Sequence, residues 1–359
     1  MERAISAPGK LFISGEYAVL WGGAARVAAV GPRVSAFVRT RDDRRVDIVL
    51  EEGRLTGTAT PAGVKWQGTV PGEYRFVAHT IDLAYRLGSH DSPGFAVALA
   101  PSPKGENGQK LGFGSSARAT VLAAEAARLA LGGTFDSLKL ALLAHADAQQ
   151  GKGSGGDVAA CFAGGLVRYR RYDVAPLIKA ANSSGFSTGL SASSSVELLR
   201  AQNIEHPMLY AFSGTSASTP SLIAHVEREW GLEKRTRFVE ESDGHGERLE
   251  HALARGDFSE VTDACSSLQR LLWSLEVTRT PQLERLLALA TAYGCTGKQS
   301  GAGGGDGVIL FSPGETARDA LASALSERKI MSMPVSLAQG LRGEADVPPE
   351  LSGWLQACW

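Results

Sequence analysis

Between Lys110 and Leu131 a loop of glycine and serine runs straight into a long alanine-rich helix, KLGFGSSARATVLAAEAARLAL, and this stretch constrains the chain more than any other. The small residues Gly112, Gly114, Ser115 and Ser116 let backbone N–H groups approach an anion closely. The helix that begins near Ser116 aims its positive end at the same point. The pattern reads as a phosphate cradle. Its spacing is neither GxxxxGKS/T nor GxGxxG, so neither the P-loop nor the dinucleotide-binding arrangement is implied. The same composition also serves as a plain turn and cap, and only neighbouring motifs separate the two.

Two further stretches have unusual composition: APGKLFISGEYAVLWGG from Ala7 to Gly23, and GKQSGAGGGDGVILF from Gly297 to Phe311. Lys10 follows a Pro-Gly pair, where it is either a surface lysine beside a turn or a point charge able to reach a transferring phosphoryl group. Glu16 is read either as the partner of a base or metal or as one half of a salt bridge at a strand end. Ser116 is either an N-cap or a hydroxyl for a Mg2+ shell. Asp157, in the turn GKGSGGDVAA, is either a helix N-cap or a carboxylate that organises Lys10 and the acceptor oxygen. The run Gly301 to Gly307, flanked by Lys298 and Asp306, is too rich in glycine for an ordinary loop and suggests a backbone that must approach a ligand.

Around these motifs the chain alternates short elements. Ile5 to Ile13 and Val27 to Arg39 read as strands, with Ile5 to Ile13 entering a Pro-Gly turn. Arg75 to Leu87 has apolar residues at helical spacing and Gly88 as a stop, Phe95 to Leu99 is a strand, and Asp136 to Gln149 is a helix capped by Asp136. The serine-rich tract Ser183 to Ser195 reads as a loop or insertion. Beyond a boundary near Glu205 come a strand at Met208 to Phe212 and helices at Ser221 to Trp230, Glu247 to Arg255, Asp257 to Trp273 and Gln282 to Tyr293. A strand at Val308 to Phe311, a helix at Thr316 to Arg328 and a strand at Met333 to Leu337 follow. Glu240 to His251 carries acidic residues and histidine but matches no ligand spacing, and reads as a solvated loop and helix start. His145 and Asp147 are assigned surface or packing roles, and Arg170 and Arg171 a charged strand end. The expected architecture is α+β in two domains, 1–204 and 205–359.

With 37 basic and 38 acidic residues and a net charge of -1, the chain has no global attraction to nucleic acid or to an anionic membrane, so an anion site must be local. Four cysteines lie far apart with no CxxC spacing, which indicates neither a zinc site nor a disulfide framework and makes a reducing cytoplasm the expected compartment. No segment reads as a signal peptide or membrane span.

The three motifs, in this order, resemble those of the GHMP kinases. The resemblance implies a two-domain fold: a βαβ-rich N-terminal domain with a left-handed-crossover-type sheet, and a ferredoxin-like C-terminal domain. It also implies ATP and Mg2+ as cofactors and a monomer or homodimer acting on a small molecule. Within the family the details look like phosphomevalonate kinases: Tyr17 in GEYAVL, Lys110 ahead of the glycine-serine core, GSGGDVAA, Asp306 in GAGGGDG, and SGTSASTP from Ser213 to Pro220. By that likeness the γ-phosphoryl group of ATP passes to the phosphate of 5-phosphomevalonate. Lys10, Lys110 and Asp157 are the catalytic set. Gly112, Gly114, Ser115, Ser116 and Ala117 hold ATP, and Ser154, Gly155, Ser213, Thr215, Ser300, Gly301, Ala302 and Gly303 hold the substrate. Phe113 and Arg118 depart from the family's usual leucine and small residue. The metal-binding glutamate of mevalonate kinases has no counterpart upstream of Asp157, which leaves Mg2+ to ATP and Ser116, with Asp147 a secondary candidate. A phosphomonoester has its second pKa at about 6, so such an acceptor needs no proton removed, and Asp157 is expected to orient rather than deprotonate. The competing readings are mevalonate kinase or another small-molecule GHMP kinase, a related decarboxylase, and a catalytically silent binding protein.

Overall fold

The computed structural model describes residues 1–87, 93–105, 108–132, 135–171, 173, 199–201, 204–215, 219–347 and 352. The tract Ser183 to Ser195, and residues 216–218 of the Ser213 to Pro220 segment, lie outside them. The chain is α+β, built on two sheets.

The larger sheet begins with β1 (Glu2–Ser14) and the long β2 (Ala24–Thr40), paired antiparallel. To these are added β3 (Arg45–Leu50), β4 (Gly53–Thr60), β5 (Gly63–Trp66), β6 (Phe95–Leu99), β7 (Leu166–Arg170), β8 (Leu199–Ala201) and, from the far end of the chain, β13 (Arg342–Glu344). Its order is β13-β1-β2-β6-β3-β4-β5, with β7 on the first half of β2 and β8 on β7. Among the described residues only β3 and β6 pair in parallel, joined through the crossover helix α1 (Arg75–Leu87). The sheet is therefore mostly antiparallel, with this one parallel crossover among the described residues.

Helices α2 (Ser115–Ala130), α3 (Ser137–Ala148) and α4 (Gly156–Ala163) join α1 over one face of this sheet. Asp136 caps α3 through Leu138 N at 2.9 Å and Lys139 N at 3.2 Å, as expected of an aspartate at that position. The alternation of β1 divides its side chains between two cores. Phe12 faces the helices, whereas Leu11 and Ile13 face the second half of the chain.

That second half holds β9 (Met208–Phe212), α5 (Thr219–Glu229), α6 (Leu232–Arg255), α7 (Phe258–Trp273), α8 (Pro281–Ala292), β10 (Thr296–Ser300), β11 (Gly307–Phe311), α9 (Glu315–Glu327) and β12 (Ser332–Val335). Its sheet runs β10-β11-β9-β12, all antiparallel, the order of a split βαβ unit with extra helices in the first crossover.

Three sequence readings give way here. Ile5 to Ile13 does not end in a turn at Pro8-Gly9: β1 continues through it with a register shift between Ala7 and Gly9, so Lys10 lies inside a strand, opposite Ala29. A bulge tolerates proline where a regular ladder does not. Glu240 to His251 is not a solvated loop but the body of the single helix α6. Its Asp243 accepts from Ala24 N at 2.8 Å, and its Glu250 is clamped by Arg26 at 2.7 Å and Arg168 at 2.7 Å, fastening α6 to the large sheet. Ser116 does not cap α2: Gly114 occupies that position with φ 75°, and no side chain caps the first turn.

Candidate active site

The head of α2 opens onto a cavity of about 510 Å³ between the two halves of the chain. Lys10 enters it from β1. Its main-chain N donates to Phe113 O at 3.1 Å, its Nζ donates to Gly112 O at 2.9 Å, and its alkyl chain crosses Gly114. A Cβ on Gly114 would sit 2.9 Å from Lys10 Cε, so both the positive φ and the close approach require glycine there. Ser115 and Ser116 border the same space at the positive end of α2.

Behind the cradle stands His145 of α3, 1% exposed. Its Nε2 lies 3.2 Å from Ser116 Oγ and 3.3 Å from Gln149 Nε2, and its Nδ1 lies 4.0 Å from Asp157 Oδ1. Burial lowers the pKa of the ring, against the pull of Asp157. In a neutral imidazole with its proton on Nδ1, Nε2 is the single acceptor facing both Ser116 Oγ and Gln149 Nε2, while Nδ1 has no hydrogen-bond partner among the described residues. His145 thus faces the cradle instead of serving only as packing.

Asp157 is in the first turn of α4, which starts from Gly155 in the left-handed region. It is not an N-cap: its Oδ1 accepts from the next main-chain N at 3.0 Å, and its side chain borders the cavity. Ser154, also on the wall, accepts from Gly156 N through Oγ at 3.2 Å, and its carbonyl takes Tyr169 Oη at 2.9 Å.

The opposite wall is the loop between β10 and β11. Lys298, fully buried, pairs with Glu16 at 2.5 Å and also donates to Gln299 O at 2.6 Å. Glu16 Oε1 takes Gly301 N at 3.4 Å, and Tyr17 Oη donates to Ala302 O at 2.8 Å, so the turn after β1 is tied to β10 at Lys298 and to the glycine-rich loop at two further points. Tyr17 and Asp306 both hold positive φ, 61° and 53°, in non-glycine residues bordering the cavity, a cost that clusters at functional sites. Asp306 exchanges main-chain bonds with Ser213 and Thr215, each at 2.7 Å.

The cavity therefore gathers Lys10, Lys110, Gly112, Gly114, Ser115, Ser116, Ser154, Asp157, Gly301 and Ala302. Others expected there stand elsewhere. Ala117 is buried in α2. Ser213 and Thr215 bond to each other through Ser213 Oγ at 3.1 Å. Ser300 is buried at the end of β10, and Gly303 packs on Thr278 and Gln299. Gly155 serves as the left-handed residue before α4, against Tyr169. Asp147 is drawn to His79 of α1 at 2.8 Å and does not border the cavity. Arg170 binds Gly22 O and Asp243, and Arg171 binds Gly151 O, consistent with a charged strand end. The sequence reading left unassigned the other end of the cavity, where Val34, Leu50, Leu99 and residues 101–103 form an apolar wall beside the Lys104–Glu51 pair. Those residues carry no motif, and only the fold collects them.

A glycine-serine loop at a helix head, a lysine across it and a glycine-rich loop from a second sheet meet at one cavity, and the chain belongs to the GHMP kinase family, kinases of small molecules. Residues 249–330 match the family model described as GHMP kinases C terminal. The chain is 32% identical over 344 residues to a phosphomevalonate kinase of Streptomyces sp., covering 87% of this chain and 90% of that one. It is also 30% identical over 332 residues to a mevalonate kinase of Aeropyrum pernix, covering 89% and 92%. Its fold matches that of a Streptococcus pneumoniae phosphomevalonate kinase in complex with phosphomevalonate and AMPPNP, with a TM-score of 0.79, 22% identity and coverage of 92% and 99%.

Proposed function

We propose that this chain is a phosphotransferase that moves the γ-phosphoryl group of ATP onto the phosphate of 5-phosphomevalonate, releasing the diphosphate and ADP. The observation that carries the reading is its likeness, over nearly its whole length, to an enzyme named phosphomevalonate kinase. The cavity supports it physically. Two phosphate groups must be brought together, and Lys10 and Lys110 border the cavity where they would offset the repulsion. The main chain of 112–116 holds the nucleotide phosphates, and the apolar wall of Val34, Leu50 and Leu99 receives the base. Asp157 orients Lys10 and the acceptor, and His145 fixes the Ser116 hydroxyl.

Mg2+ fits these residues. Ser116 and Asp157 offer hard oxygen donors on the same cavity, and the described residues contain no cluster of three or more His, Cys, Asp or Glu that would form an all-protein cage. That is the donor set of an ion carried mainly by nucleotide phosphates. When bound, it neutralises charge between the β- and γ-phosphates.

The second reading, mevalonate kinase, is favoured by the Aeropyrum pernix relative. ADP release with Mg-ATP, comparing 5-phosphomevalonate with mevalonate at equal concentration, separates the two. Turnover with the phosphorylated substrate alone is expected. Turnover with mevalonate alone would overturn the proposal and make Asp157 an obligatory base.

A further inference from the structure

The charge on Arg118 has no evident use within the protein. It lies in α2, one turn beyond Gly114, to whose carbonyl its main-chain N donates at 3.0 Å, and the whole residue is 2% exposed. Its Nη1 donates to Pro32 O at 2.9 Å, its Nε is buried without a partner, and among the described residues no carboxylate pairs with it. A buried guanidinium answered only by a carbonyl is costly, because loss of hydration is not repaid by an opposite charge. Burial lowers its pKa, although arginine stays protonated.

Position supplies the missing partner. Arg118 lies one turn from the head of α2, its guanidinium is held at Pro32 O of β2, and the residue borders the cavity onto which that helix head opens. Arg118 borders the cavity together with Lys10, and both oppose the burial that nevertheless leaves the Cys161 thiol raised to about 12. Two cations thus flank one side of the cradle: Lys10 across Gly114, and Arg118 beside it.

We infer that Arg118 is a phosphate-recognition residue, its guanidinium held uncompensated in the cavity wall to engage the phosphates of the bound nucleotide. This rests on the nucleotide-kinase reading above, and it adds a residue type that the cradle motif does not call for. Guanidinium matches phosphate oxygens with paired donors, and of those of Arg118 Nη1 is committed to Pro32 O while Nε has no protein partner among the described residues. The acceptor's phosphate shares this chemistry, so the test separates the two sources.

Calorimetric titration of wild-type protein, Arg118→Gln and Arg118→Lys with ATP, AMP and 5-phosphomevalonate decides the matter. Wild-type binding of ATP tests the kinase reading by itself. For Arg118→Gln the Kd for ATP is expected to rise on the order of tenfold to a hundredfold. AMP and 5-phosphomevalonate should change far less, and Arg118→Lys should recover part of the loss. Equal weakening of ATP and AMP would reduce Arg118 to a brace for Pro32, and loss confined to 5-phosphomevalonate would move it to the acceptor; either overturns the proposal. Should Arg118→Gln fail to fold, the arginine Nε–H resonances of the wild-type protein serve instead. One of them, assigned through Arg118→Lys, shifts with ATP if the proposal holds and stays fixed if it does not.

Discussion

Replacing Lys298 by methionine should destabilise the protein more than almost any other single change to a polar residue. The ammonium and the Glu16 carboxylate are 2.5 Å apart, with side chains 0% and 3% exposed. At an effective dielectric of about 20, their attraction is ~7 kcal/mol, and removing both charges from water costs several kcal/mol per ion in the other direction. The intact pair therefore adds little net stability. Deleting one partner is different: Glu16 would keep only the 3.4 Å contact from Gly301 N, with Oε2 already lacking a partner. An unpaired buried charge costs about 3–5 kcal/mol. Urea unfolding, followed by tryptophan fluorescence and far-UV circular dichroism, should show that loss for Lys298→Met. The double variant Glu16→Leu/Lys298→Met should recover most of it, because an apolar pair of similar volume needs no compensation. A Lys298→Met protein within about 1 kcal/mol of wild type, or a double variant no better than the single one, would refute the reasoning.

Lys10→Ala should lower kcat on the order of 10² or more while leaving the melting temperature close to wild type, and near-wild-type ADP release would remove Lys10 from the catalytic set. Gly114→Ala forces a side chain into φ 75° and against Lys10 Cε at 2.9 Å. Beyond a loss of about 1–2 kcal/mol in a thermal melt, it should raise the KM for ATP by displacing Lys10. For Glu250, burial raises the pKa, but hydrogen bonds and charge from Arg168 and Arg26 more than offset this and leave it below the ordinary carboxylate value of 4.5. The unfolded chain then binds the proton more readily, so this carboxylate contributes stability above pH 4.5 and loses it as pH falls through the folded value. Urea midpoints of wild type and Glu250→Gln should therefore differ most near neutral pH and converge only as pH falls below the folded pKa; parallel curves would contradict the clamp.

How much of this was legible in the sequence depends on whether local chemistry or tertiary contact decides each position. Asp136 before an apolar run, and the helical spacing of Arg75 to Leu87, are local signals, and the structure has both helices where the pattern puts them. Of helix α6 only the C-terminal part, Glu247 to Arg255, was legible; the part before it was not, because Gly244 and Gly246 break its propensity. Gly246 is explained only across the chain: a Cβ there would lie 2.6 Å from Arg26 Nη1 and 2.7 Å from Ser14 Oγ, where α6 presses on the large sheet. Pro8-Gly9 misled in the same way. Gly9 lets Phe113 close over β1, with a virtual Cβ 3.1 Å from Phe113 Cβ, and the pair marks a bulge under the cradle, not the end of a strand.

The same contrast separates the parts of the candidate site. The cradle, the Asp157 turn and the loop at 301–306 all border the cavity and hold glycines at positive φ, so glycine is required and composition reveals them. Glu16 and Lys298 depend on each other across 282 positions of sequence, and neither residue alone shows that the other exists. Arg118 lies between these cases. It stands among Ala117, Thr120 and Val121 on a helix face buried against the sheet, where the local pattern calls for a small or apolar side chain. A charge placed against its own helix pattern, with a carbonyl but no carboxylate to answer it among the described residues, is a conflict between local and global preference. Such conflicts persist where a ligand supplies what the chain lacks, and the sequence could show the conflict but not the cavity that resolves it.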